Sequence, residues 1–136
     1  IKNDIIGCIH AGWKGAFSDI IKKIIFKFKN LNSNNKIYAS IGPCIGKKSY
    51  EVDFQFYKKF VKKSVKNKKY FSKKNKHKKL FNLRRFVADK LYELEVKFDH
   101  VNHDTFREKT NFFSYRRSCK LKHNDYGRCI SAVSLK

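Results

Sequence analysis

The chain has 136 residues, the usual size of one domain and enough to bury a single core. Its 33 Lys and Arg against 11 Asp and Glu give a net charge of +22, and its longest apolar runs, such as residues 5–9, fall far short of the roughly 20 residues a membrane-spanning helix needs. Four scattered cysteines (Cys8, Cys44, Cys119, Cys129) with no C-x-x-C pair argue against a disulfide framework or a zinc ribbon, and with no visible signal peptide they predict reduced thiols in a cytoplasmic protein.

Residues 4–10 (Asp-Ile-Ile-Gly-Cys-Ile-His) form a nearly continuous apolar run, as expected of a strand covered on both faces. The chain contains no methionine and opens on Ile1 only a few residues before this run, which predicts a break inside a domain. Phe17, Ile20, Ile21, Ile24, Ile25 and Phe28 then recur at helical spacing, with Lys22, Lys23, Lys27 and Lys29 on the other face. Residues 36–41 read as a second strand, and strand, helix, strand with short joints predicts a right-handed crossover between parallel neighbours. Gly42-Pro43-Cys44-Ile45-Gly46 ends it with turn residues.

A second helix is predicted from Asp53, as N-cap, through Phe54, Tyr57, Phe60 and Val61. Residues 64–79 are dominated by lysine with little periodicity and read as a loop within the domain. A third helix should follow Asn82 with Leu83, Phe86, Val87, Leu91 and Leu94 buried, and strands are expected over 96–101 and 128–135. The positive charge has two readings. Of the basic residues 27 are Lys and 6 Arg, and Lys, Asn, Ile, Phe and Tyr, all with AT-rich codons, make up 70 of the 136 residues, so a drifted genome accounts for the surface without a partner. The alternative is a nucleic-acid-binding module whose contacts come from the 64–79 lysines.

Two segments carry chemistry. His10-Ala11-Gly12-Trp13-Lys14-Gly15 stands where the first strand should give way to a helix, the place where open α/β sheets bind ligands, and Gly12 and Gly15 let backbone N–H groups approach an anion. Phe112-Phe113-Ser114-Tyr115-Arg116-Arg117 sets two of only six arginines beside aromatics. A guanidinium offers a planar fork for phosphate or carboxylate while an aromatic stacks on a flat ring, and alternation in an extended segment lets at most one arginine enter a given site. Cys8 shares a strand face with His10 but lies in the apolar run and reads as a packing thiol. Cys44, in its Gly-Pro turn, paired with His10 would make a nucleophile and its base, the third reading, a metal-free cysteine hydrolase. Asp125-Tyr126-Gly127-Arg128 reads as a turn.

These segments, together with Ile41-Gly42-Pro43-Cys44-Ile45-Gly46 and the Tyr50-Glu51-Val52 behind it, His103-Asp104-Thr105-Phe106, and Tyr126-Gly127-Arg128, occur in the order found in the laccase-domain proteins, long labelled polyphenol oxidases. The resemblance spans essentially all 136 residues and is similar to the C-terminal part of that family's domain, with Lys14 where Arg is usual. It implies a single α/β domain, layered α/β/β/α with a mixed sheet and N-terminally truncated over 1–136. It also implies a purine nucleoside phosphorylase that converts adenosine, inosine or guanosine plus phosphate to base and ribose 1-phosphate. Methylthioadenosine phosphorolysis and adenosine deamination are associated activities.

The resemblance further implies a zinc, earlier reported as copper, on two histidines and a cysteine. His10 matches the last of these ligands and the other two belong to segments upstream of Ile1, so this chain alone is expected to be inactive. A bound metal of that kind polarises a water or a substrate hydroxyl, which suits deamination. Chemistry then assigns phosphate charge to Arg116 and the helix start near Gly15, and base stacking to Phe113 or its neighbours, with Gly12 and Trp13 at the substrate.

Overall fold

The computed structural model describes residues 5–31 and 36–135. Its elements in chain order are α1 (Trp13–Phe17), α2 (Ile20–Leu31), β1 (Tyr38–Ile41), β2 (Glu51–Asp53), α3 (Phe54–Lys63), a 3-10 helix (Val65–Tyr70), β3 (Phe71–Lys73), β4 (Lys78–Phe81), α4 (Leu83–Glu93), β5 (Lys97–His100) and α5 (Tyr115–Leu121). The α/β class holds, with both kinds of pairing: β1 runs parallel to β5, while β2, β4 and β3 form an antiparallel sheet in the order β2-β4-β3.

Local chemistry sets the helix starts. The Asp53 carboxylate accepts the Phe56 N–H at 2.7 Å and the Asn82 side-chain oxygen accepts the Arg85 N–H at 3.1 Å, so both predicted caps satisfy an orphan donor of the first turn. The apolar stripe over 17–28 is interrupted: α1 ends at Phe17 and α2 restarts at Ile20, with Asp19 in the left-handed region at φ 60°. Ion pairing holds that break, since the Asp19 carboxylate takes Lys63 at 2.7 Å and Lys90 at 2.9 Å.

Aromatic packing joins these pieces. Phe60 and Phe81 are fully buried, and the Phe60 ring centroid lies 4.7 Å from Phe17, 4.8 Å from Phe56, 4.9 Å from Phe81 and 5.3 Å from Phe86. One side chain thereby ties α1, α3, β4 and α4 together. From α4 the predicted face, Leu83, Phe86, Val87 and Leu91, enters the same core.

Four expectations are corrected. Residues 5–10 are irregular and 6–10 exposed rather than a covered strand, Asp4 lying outside the described residues; among the described residues no strand offers a ladder, and an unpaired extended segment gains nothing from its apolar pattern. The expected crossover partner of β1 is accordingly β5, from the far side of α4. Residues 128–135 are likewise irregular and exposed, touching the first segment where the Cys8 thiol reaches the Ser131 carbonyl at 3.7 Å. Residues 64–79 are folded: the 3-10 helix and the β3–β4 hairpin are anchored by Tyr70 and Phe71, the apolar residues that an average over so many lysines conceals.

The parallel pair continues beyond its strands. Val101 donates to the Ile41 carbonyl at 2.9 Å and Thr105 to the Cys44 carbonyl at 3.1 Å, so the Pro43–Gly46 turn lies along 101–105. Asp104 locks the two together, accepting the Gly46 N–H at 2.9 Å, the Ser49 hydroxyl at 2.6 Å and the Phe106 N–H at 3.0 Å. Gly46 is required here because a Cβ would collide with that carboxylate. Burial pushes the Asp104 carboxyl up, but these hydrogen bonds to its charged form outweigh burial and hold it below the usual carboxylate range.

Phe81→Ala is expected to destabilise the fold by about 3–5 kcal/mol in urea denaturation, while Tyr92→Ala, at an exposed ring, should stay within about 0.5 kcal/mol of the parent. Because the folded Asp104 pKa lies below its unfolded value, its contribution is present above about pH 4 and is lost as pH falls through the folded value. Asp104→Asn should therefore show a shallower acid limb in Tm between pH 6 and 2, and an unchanged limb would contradict the assignment.

Candidate functional site

His10 is exposed, its Nε2 lying 3.4 Å from where a Cβ on Gly12 would stand, an ordinary contact distance. Gly12 is the N-cap of α1 and Gly15 is its third residue. At this helix start, where the sequence places an anion, α1 has five residues and too few aligned peptides for a strong dipole. Trp13 turns inward, its ring 4.8 Å from Phe56 and 6.4 Å from Phe60, with the Lys14 and Lys59 ammonium groups 5.9 and 5.2 Å from it.

The two arginines part company, through helical rather than extended backbone. Ser114 caps α5, accepting the Arg117 N–H at 3.4 Å, and successive residues then point in different directions. Arg117 is spent on structure: it donates to the carbonyls of Thr105 at 2.8 Å and Phe106 at 2.9 Å and to that of Phe112, pinning the 105–112 segment. Arg116 instead lays its guanidinium over the Tyr50 ring, 5.3 Å from the centroid. Burial pushes the Tyr50 hydroxyl's pKa up, opposed by the Arg116 charge.

Arg116 borders a cavity of about 240 Å³ lined by Glu51, Val52, Asp53, Phe56 and Lys78. Its lining holds two carboxylates, Glu51 and Asp53, against Lys78 and Arg116, and the Glu51 carboxylate lies 3.7 Å from Lys74 and Lys78 and 3.8 Å from Lys120. This lysine ring escapes sequence reasoning because it gathers β2, the hairpin and α5, although the Tyr50-Glu51-Val52 motif marks its centre. Phe56 belongs both to this cavity and to the Trp13 packing, and through it the two motif segments meet. Phe113 stays apart, 58% exposed and lying on Gly127, where a side chain would strike its ring.

Cys44 is poorly suited to nucleophilic attack. Burial raises its pKa, offset in part by Arg84 and reinforced by Asp104, whereas an activated thiol needs a lowered one. His103, on the neighbouring segment, spends its Nδ1 on Glu108 at 2.7 Å. Arg84 holds Asn102 Oδ1 at 2.7 Å and the His103 carbonyl at 2.5 Å.

For the zinc implied by the motifs, the residues present do not suffice. Among the described residues no group of three or more His, Cys, Asp and Glu side chains is arranged to hold a metal ion, and a single imidazole at His10 cannot hold one. All four cysteines are free thiols, and among the described residues no helix is long and apolar enough to cross a membrane.

Comparison with known proteins places these features. A Rickettsia conorii protein named purine nucleoside phosphorylase is 40% identical over 135 residues, covering 97% of this chain and 55% of that protein. A Haemophilus influenzae protein of the same name is 32% identical over 131 residues, covering 94% of this chain and 51% of that protein. The chain thus spans about half the length of the relatives it matches. Among solved structures, a DUF152-family protein of Neisseria meningitidis matches with a TM-score of 0.69 at 25% identity over 79% of this chain and 44% of that one. The Bacillus licheniformis hypothetical protein YfiH matches with a TM-score of 0.71 at 25% identity over 81% and 43%. The model of the family described as multi-copper polyphenol oxidoreductase laccase matches residues 1–136, and the chain belongs to that family.

Proposed function

We propose that this chain forms the phosphate- and base-contacting part of a purine nucleoside phosphorylase acting on adenosine, inosine or guanosine. The observation that carries the reading is the unequal use of the two arginines: Arg117 is consumed by three carbonyls, while Arg116, with no ion pair among the described residues, lines a cavity together with Lys78. The names of the relatives supply the reaction class.

In phosphorolysis a phosphate oxygen bonds to the ribose C1′ as the C1′–N9 bond breaks, giving ribose 1-phosphate and a purine that leaves with the phosphate's proton. The phosphate must be held close to a substrate it does not otherwise attract. A guanidinium fixed over Tyr50 can present two parallel N–H donors, and Lys78 and Lys120 add charge without geometric demand. Base stacking is assigned to an aromatic of the 112–115 segment on chemistry alone, the exposed Phe113 ring standing apart from the Arg116 cavity. Methylthioadenosine shares the purine and the scissile bond and fits the same description. Adenosine deamination needs an activated water, and in this reading His10 is one ligand of a zinc whose other ligands lie outside these 136 residues; no step above passes through that ion.

Inorganic phosphate binding, followed by calorimetry on this chain, should weaken about tenfold or more in Arg116→Ala and recover in part in Arg116→Lys. Equal affinity in all three proteins would refute the role of Arg116. In the full-length enzyme, base release from inosine should require phosphate and yield ribose 1-phosphate. Release of free ribose without phosphate would identify a hydrolase instead.

A further inference from the structure

The charge of this chain is unevenly spread. Between Phe54 and Ala88 there are twelve lysines and two arginines and no aspartate or glutamate, so all eleven acids lie outside that stretch. An AT-rich codon bias raises lysine everywhere, but it does not clear acids from one segment.

Folding gathers the segment. It comprises α3, the 3-10 helix, the β3–β4 hairpin and the start of α4, with the Tyr57 ring of α3 5.1 Å from Phe71 of β3. Bordering acids reach four of its lysines: Asp19 pairs with Lys63, Asp89 with Lys69, and Glu51 lies near Lys74 and Lys78. The other eight have no carboxylate partner among the described residues.

At its centre Phe54, 47% exposed, and the half-buried Tyr57 form a ring pair 5.4 Å apart and inclined by 34°. Lys58 stands 5.2 Å from the Phe54 ring, and Lys79, from β4, stands 4.5 Å from Tyr57 and 6.0 Å from Phe54. An exposed ring beside a half-buried one, flanked by ammonium groups without a carboxylate partner, is the arrangement a strand of bases and phosphates requires, the rings stacking on bases while the lysines take phosphates.

We propose that α3 and the β3–β4 hairpin form a binding surface for single-stranded nucleic acid, centred on Phe54 and Tyr57 and adjoining the Arg116 cavity at Phe56 and Lys78. Two rings expose too little apolar surface to seat the face in a bilayer. A duplex would satisfy the lysines and leave the rings without a partner.

The test is fluorescence anisotropy of a labelled 20-nucleotide oligodeoxythymidylate titrated with the chain between 25 and 200 mM KCl. Contact with five or more phosphates should give a log–log salt slope of about −3.5 or steeper. Phe54→Ala/Tyr57→Ala should weaken binding about tenfold or more at every salt concentration with the slope unchanged, because stacking releases no counterions. Lys58→Gln/Lys76→Gln/Lys79→Gln should instead reduce the slope by about 2.

Circular dichroism checks that each variant is folded, and Phe54→Ala alone, at a ring already exposed, replaces the double variant where that one is not. A slope shallower than about −1, undiminished affinity on loss of the rings, or equally tight binding of the corresponding 20-base-pair duplex overturns the proposal. So does tighter binding to phosphatidylglycerol vesicles than to the oligonucleotide.

Discussion

The mutual placement of α1, α3, β4 and α4 depends on the aromatic packing at Phe60. Its ring receives Phe17 from α1, Phe56 from its own helix, Phe81 from β4 and Phe86 from α4, and Tyr50 joins through Phe81 at 5.6 Å. Aromatic side chains bury large areas and interlock at preferred angles, so a few of them hold together a small domain whose surface is heavily and repulsively charged. The same packing delivers the functional groups: Val52 and Phe56 stand at once in or against the core and in the wall of the Arg116 cavity.

Around that core the charged residues divide between structure and availability. Asp19, Asp89, Asp104 and Arg117 are each spent on several partners, and each closes a break or a turn: the α1–α2 joint, the 3-10 helix against α4, the Gly46 turn, the 105–112 segment. With only 11 acids in the chain, few lysines can be neutralised in this way. Eight of the lysines without a carboxylate partner among the described residues gather across α3 and its hairpin, where an anion would replace a missing carboxylate.

Much of the fold was legible where a local rule and a packing demand coincide. The caps at Asp53 and Asn82 and the stripe through Leu83, Phe86, Val87 and Leu91 need nothing beyond their own helices to be recognised. The terminal runs over 5–10 and 128–135 misled for the complementary reason: their apolar pattern states a preference for strand, but a strand exists only with a neighbour to take its hydrogen bonds. Residues 64–79 misled because a lysine-rich average hides Tyr70 and Phe71, one buried and one partly buried ring that pack the segment onto the core.

The sequence by itself determined the family, through ordered motifs from His10 to Arg128, and with it the α/β class and the helices that cap themselves. It also singled out Arg116 and Arg117 against a lysine background and assigned phosphate charge to Arg116, without the contacts that separate the two. Tertiary structure decided that Arg117 clamps carbonyls while Arg116 faces a cavity, that Trp13 packs inward, and that Glu51 lies among three lysines from two other elements. Those outcomes depend on which distant groups arrive within hydrogen-bonding or Coulombic reach, a property of the packed chain that no local pattern encodes.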